Sequence, residues 1–129
     1  MIVVDTSVWV RALRDRSSTE ASILTQLLDD DEVLLPIPVK VELLSGTSKR
    51  DRAALVQSLE ALPLAYPSED TWRTMVQWTE QTGAAGLSFG VGDLLIAGVA
   101  REHDALVWSL DSAFERLERL GLIAQYETG

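Results

Sequence analysis

The sequence predicts an α/β fold built on a mostly parallel sheet. Short, continuous apolar runs recur along it: Ile2-Val3-Val4, Val33-Leu34-Leu35, Leu64-Ala65-Tyr66, Leu106-Val107-Trp108 and Leu122-Ile123-Ala124. Unbroken runs of this length are expected of strands covered on both faces. The segments between them carry apolar residues at helical spacing, so the connections are crossovers rather than hairpins. The third observation is size. A chain of 129 residues is expected to be one domain, 1–129, with a single core.

The elements follow in order. The first strand stops at Asp5, and residues 6–14 read as a helix with Val8, Trp9, Ala12 and Leu13 apolar. Ser17-Ser18-Thr19-Glu20 fits a capping box for a second helix, whose stripe is Ile23, Leu24, Leu27 and Leu28. Asp29-Asp30-Asp31-Glu32 ends that helix as a solvated acidic corner. The second strand is closed by Pro36, and residues 38–44 read as a short helix that stops at Gly46.

Ser48-Lys49-Arg50-Asp51 is another capping box, before a helix with Leu55, Leu59 and Leu62 on one side. The third strand lies between Pro63 and Pro67. Ser68 caps a longer helix with Trp72, Met75, Val76 and Thr79 at helical spacing. Residues 83–90 form a glycine-rich loop, and 92–103 an apolar helix. After the fourth strand, residues 112–120 make a helix rich in Glu and Arg, and 122–124 a fifth and last strand.

Composition removes several function classes. No apolar run reaches the ~18 residues of a membrane span. No basic region precedes Ile2-Val3-Val4, so no signal peptide is expected, and the expected location is cytoplasmic. With no cysteine there is neither a disulfide framework nor a thiolate metal site. The net charge of −9 disfavours tight, non-specific nucleic-acid binding. It suits an enzyme whose bound cations invert the local charge, or a basic protein partner.

Four acids stand where such a sheet builds a site: Asp5, Glu42, Asp93 and Asp111. Asp5 and Asp111 follow strands, Asp93 opens a helix, and Glu42 sits among Val39, Val41, Leu43 and Leu44. Each has a local reading as well. Asp5 and Asp111 can cap the helices after them, Asp93 suits a helix first turn, and Glu42 can face water. A doubly wound sheet brings the carboxyl ends of its strands to one edge. If the four acids meet there, they form an oxygen-rich site for Mg²⁺ or Mn²⁺ rather than Zn²⁺, since there is one histidine and no cysteine. One or two such ions suit in-line displacement at phosphorus, with the acids holding metal rather than moving protons.

The remaining features read as structural. His103 lies about 15 Å along the helix from Asp93 and is expected to end that helix. Trp9, Trp72, Trp78 and Trp108 are expected in the core. Arg11, Arg14 and Arg16, and Lys49-Arg50-Asp51-Arg52, read as solvated helix faces, with phosphate contact as the alternative. Thr6 and Ser7 can orient Asp5 by hydrogen bonding, or cap the helix. The glycines at 83, 86, 90 and 92 match no phosphate-loop or dinucleotide pattern. A phosphatase or receiver-like phosphoacceptor on Asp5 would want an acid at position 7, which is Ser, or a late-strand lysine, which is absent.

With these motifs in hand, the chain resembles the PIN-domain nucleases, and within them the VapC toxins of bacterial toxin–antitoxin pairs. The resemblance is carried by Ile2 to Trp9 (IVVDTSVW), Pro38 to Gly46 (PVKVELLSG), Gly92 to Ala97 (GDLLIA) and Ser109 to Phe114 (SLDSAF). It implies a PIN-like α/β/α sandwich around a mostly parallel sheet of about five strands. It also implies Mg²⁺- or Mn²⁺-dependent endoribonuclease activity on an RNA substrate, with Asp5, Glu42, Asp93 and Asp111 as catalytic and metal-binding acids. Thr6, Ser7 and Ser109 would support them. A cognate antitoxin protein and a homodimer follow from the same resemblance. Two positions depart from the family pattern. Ser109 stands where Thr is frequent, and Ala113 stands where a further acid is frequent. The alternative is a catalytically silent PIN-like module whose acids serve caps and partner docking.

Overall fold

The computed structural model describes residues 1–128. Its elements run β1 (Ile2–Val4), α1 (Thr6–Arg14), α2 (Thr19–Asp29), β2 (Val33–Pro36), α3 (Ile37–Gly46), α4 (Lys49–Glu60), β3 (Leu64–Ala65), α5 (Glu69–Ala84), α6 (Val91–Glu102), β4 (Leu106–Trp108) and α7 (Ser112–Arg119). The strands form a parallel sheet in the order β3-β2-β1-β4. Ile2 pairs with Val33 on one side and Leu106 on the other, and Val4 faces Trp108. The two strands with neighbours on both sides, β1 and β2, are buried along their whole length. That burial explains why their sequences do not alternate.

Helices flank the sheet. The apolar α6 packs against β1, β2 and β4, and α5 covers α6 in turn. Val3, Val4, Leu35, Ile96, Val99, Val107, Phe114 and Leu117 are essentially inaccessible and form the centre of the core. Ser48 and Ser68 cap α4 and α5 as expected, each side chain accepting the N–H three residues on.

Four expectations are corrected. The sheet has four strands among the described residues rather than about five. After α7 the chain turns at Gly121, whose φ of 77° lies in the left-handed region, and the Leu122 N–H returns to Leu117 O. Leu122 and Ile123 are then buried by packing, not by a ladder. Among the described residues a single parallel bridge follows, Val107 to Gln125, reinforced by the edge-on contact of Tyr126 with Trp108. The apolar run is therefore a sign of burial, and a run of three cannot distinguish packing from pairing.

The second correction concerns α2, whose cap is Ser18, accepting from the Ala21 N–H at 3.1 Å. Ser17 instead bonds Asp15. The third is the face of α5: it buries Thr71, Met75, Trp78 and Thr82, leaving Trp72 and Val76 48% and 68% exposed. Trp72 is thus outside the core, unlike Trp9, Trp78 and Trp108. Finally, α5 continues through Gly83 to Ala84, so the glycine-rich loop is shorter than expected.

Candidate functional site

Asp5 directly follows β1, and its N–H donates to Trp108 O at 2.8 Å, which ties it to the end of β4. It occupies the N-cap position of α1 but its carboxylate makes no capping hydrogen bond. Its Oδ2 instead accepts from Ser7 Oγ at 2.8 Å and from Ser109 Oγ at 2.7 Å. The residue is only 5% exposed. A buried carboxylate given up by the adjacent helix and held by two hydroxyls is preorganised for something other than capping.

The two serines are themselves fixed. Ser7 Oγ accepts from the Leu110 N–H and Ser109 Oγ from the Asp111 N–H, both at 3.0 Å. The carboxyl ends of β1 and β4 are therefore laced together by side chains.

Glu42 projects from α3. Partial burial raises its carboxyl above the ordinary range, and the charges of Asp5 and Asp93 push in the same direction, while the nearby Thr6 hydroxyl pulls it down. Thr6 Oγ1 is near Glu42 without reaching hydrogen-bond geometry; it is buried and has no partner among the described residues. Asp93, half-buried in the first turn of α6, is also raised. Burial is the larger cause, followed by the charges of Asp111 and Asp5, with Arg116 opposing. Asp111 is exposed and caps α7, its Oδ1 accepting the Ala113 N–H at 2.9 Å.

The structure therefore brings Asp5, Glu42, Asp93 and Asp111 into one electrostatic neighbourhood at the carboxyl edge of the sheet. It does not close them into a cage: among the described residues no three acids converge tightly enough to enclose one ion directly. The donor set is all oxygen, one hydroxyl in it is buried without a partner among the described residues, and two of its carboxylates are raised by burial first and by neighbouring acids second. Those features fit a hard divalent cation that keeps part of its water shell, as Mg²⁺ does.

His103 is the C-cap of α6, its Nδ1 2.9 Å from Val99 O, so it takes no part. Arg11 lies 3.8 Å from Glu20 on the surface. Ala113 is 4% exposed, so that position contributes packing rather than charge. Sequence reasoning missed Arg116, whose guanidinium lies over Phe89 beside the acids. Its helix also carries Glu115, Glu118 and Arg119, and nothing in that mixed charge pattern singles out one arginine.

The PIN domain family model matches residues 2–120, nearly the whole chain and all four acids. The chain belongs to the PIN domain family. No curated protein is a significant match. Among solved structures, this PIN domain is similar to VapBC2 from Rickettsia felis, bound to a fragment of its promoter DNA. The TM-score is 0.79 at 20% identity, covering 98% of each chain. It is similar to VapBC-1 from nontypeable Haemophilus influenzae, with a TM-score of 0.78 at 21% identity over 98% of each chain. FitAcB from Neisseria gonorrhoeae gives 0.77 at 21%, covering 98% of this chain and 97% of that one. At such identities the PIN fold is what is shared.

Proposed function

We propose that this PIN domain is a divalent-metal-dependent endoribonuclease that acts as the toxin of a toxin–antitoxin pair. The observation that carries the reading is Asp5. It is a buried carboxylate relieved of capping, gripped by Ser7 and Ser109, and near enough to act on both Glu42 and Asp93, the latter also feeling Asp111. Asp5, Glu42 and Asp93 would hold Mg²⁺ or Mn²⁺, with Asp111 contributing through its free oxygen. A cation held there would supply a water nucleophile at neutral pH and charge stabilisation for the leaving oxygen of a phosphodiester. Ser7 and Ser109 hold the Asp5 carboxylate in one orientation, and the Thr6 hydroxyl offers a further polar contact.

The partner side of the reading follows from charge and from similarity. The net charge of −9 favours a basic partner over stable RNA binding, and the neighbours in fold include VapBC structures, among them VapBC-5 from Mycobacterium tuberculosis, a member of the VapBC family of toxin–antitoxin systems. A cognate antitoxin and a homodimer are proposed on that basis. No helix among the described residues is long and apolar enough to cross a membrane, and a cytoplasmic site of action is proposed.

The test is cleavage of RNA by purified protein with Mn²⁺, and its loss in excess EDTA and in Asp5→Asn and Asp93→Asn. Full activity in EDTA or in both variants overturns the reading. A second reading is favoured by one observation, the absence of three converging acids among the described residues: a silent PIN-like interaction module. Mn²⁺ titration separates the two, since the silent module would bind no metal above the level of the Asp5→Asn protein.

A further inference from the structure

The charge of Arg116 acts on Asp93 in the acid cluster, and among the described residues Arg116 forms no ion pair. A side chain present to neutralise the acids would close onto Asp93 or Asp111. Arg116 is instead held against an aromatic face, its guanidinium 5.2 Å from the Phe89 ring centroid. Its Nε is buried and has no hydrogen-bond partner among the described residues. The result is a half-buried guanidinium beside the acids, its Nε side occluded and no carboxylate paired with it among the described residues, so that an incoming anion would be met by its terminal nitrogens. Phe89 comes from the loop 85–90, which turns at Gly86 with φ 72° and packs Phe89 against the core.

We propose that Arg116 grips the phosphate of the RNA strand at the acid cluster, and that Phe89 is its positioning residue. The inference rests on the nuclease reading and names a substrate contact for it. A guanidinium is a planar fork that matches two phosphate oxygens, and a ring face fixes the plane of that fork. The acids would face a bound metal and Arg116 the anion, so a negative substrate would meet a positive group beside the acid cluster. The short glycine-rich loop supplies the aromatic platform on which that group rests.

Three measurements on the intact protein test this. The first is single-turnover cleavage of an RNA oligonucleotide in Mn²⁺, read over RNA concentration. The second is Mn²⁺ affinity by calorimetry. The third is titration of the Mg²⁺-loaded wild type with inorganic phosphate, followed at the Arg116 Nε–Hε resonance. Arg116→Ala is expected to lose about 100-fold in cleavage efficiency, with Mn²⁺ affinity unchanged or tighter. Arg116→Lys should recover only part, because a point charge lacks the fork. Phe89→Tyr should resemble wild type, whereas Phe89→Leu should raise the RNA concentration for half-saturation. Phosphate should shift the Arg116 resonance.

Wild-type cleavage by Arg116→Ala, Mn²⁺ affinity lost in step with cleavage, or no phosphate response would each overturn the inference. Should Arg116→Ala not fold, Arg116→Lys and the phosphate titration decide. If the wild type cleaves no RNA, the nuclease reading fails, and the phosphate response alone decides whether Arg116 is an anion site.

Discussion

Ser109 donates a 2.7 Å hydrogen bond to Asp5, its partner 104 residues earlier in the chain. The bond joins the carboxyl ends of β1 and β4, so the orientation of Asp5 depends on the far end of the fold. Ser109→Ala leaves Ser7 as the only hydroxyl on that oxygen. It also removes the acceptor of the Asp111 N–H. Loss of a hydrogen bond to a charged group is expected to cost about 1.5–3 kcal/mol. Cleavage should fall about 10- to 100-fold, as for other supports of metal-binding side chains. Ser109→Thr keeps the hydroxyl and should retain most activity. Parallel chemical denaturation and RNA cleavage assays check both variants.

The raised carboxyls of Glu42 and Asp93 give a signed pH dependence. An acid whose folded pKa lies above its ordinary value takes up protons on folding, so its destabilising effect is absent at low pH. That effect grows as pH rises past the ordinary values of 4.5 for Glu42 and 3.8 for Asp93 and through the raised ones. Metal-free Glu42→Gln/Asp93→Asn should therefore melt above wild type at pH 7, with the gap closing as the pH falls below those ordinary values. Glu102 works in the opposite sense: bonds from Ser68 and Thr71 lower its carboxyl. The stability it adds is present above its ordinary value of 4.5 and is lost as pH falls through its lowered one. Glu102→Gln should accordingly be destabilised at pH 7 and approach wild type in acid. Thermal melts across pH, without divalent metal, test both signs.

Much of this arrangement is legible in the sequence, for physical reasons that differ by residue. The strands β1, β2 and β4 are evident because central parallel strands must be apolar throughout. The caps at Ser48 and Ser68 are evident because capping is local chemistry. Asp5, Asp93 and Asp111 stand out because strand ends and helix starts are marked along the chain, whereas Glu42, inside α3, has no such marker. Which acids also cap is not evident: Asp5 and Asp111 look alike in sequence, yet Asp111 caps α7 while Asp5 is claimed by Ser109 from across the sheet. The exposure of Trp72 and Val76 is hidden because the neighbouring positions Thr71 and Met75, close to Gly98, set the buried face of α5. The pairing of Arg116 with Phe89 is hidden because their contact exists only in the folded chain.

Metal should stabilise the fold by an amount that rises with the logarithm of its concentration above the dissociation constant. A ligand that binds only the folded state adds about 2.7 kcal/mol at one hundred times its dissociation constant. Mn²⁺ or Mg²⁺ should raise the melting temperature of wild type and leave Asp5→Asn nearly unmoved. The metal-free Asp93→Asn protein should start higher than wild type, because the burial of a charge is avoided and the repulsion from Asp111 and Asp5 is relieved, and gain less from metal. Differential scanning calorimetry over a metal series checks the three curves. A wild-type curve insensitive to both metals would contradict the expectation.

Gly98 sets how closely α5 and α6 approach. A Cβ there would stand 3.0 Å from Thr71 Cγ2 and 3.3 Å from Met75 Cγ. Met75 is unbranched and can yield. Thr71 cannot, because its hydroxyl bonds the Ser68 N–H and Glu102 and the residue is 1% exposed. Gly98→Ala would gain about 1 kcal/mol of helix propensity. Overpacking typically costs about 1–3 kcal/mol, and the pinned Thr71 places this site toward the upper part of that range. The net outcome is expected to be destabilisation, read as a lower denaturation midpoint. Thr71→Ser removes the offending methyl and keeps the hydroxyl. The Gly98→Ala/Thr71→Ser double variant should therefore be more stable than the two single effects added together, and strict additivity would show that the close approach is not what disfavours alanine.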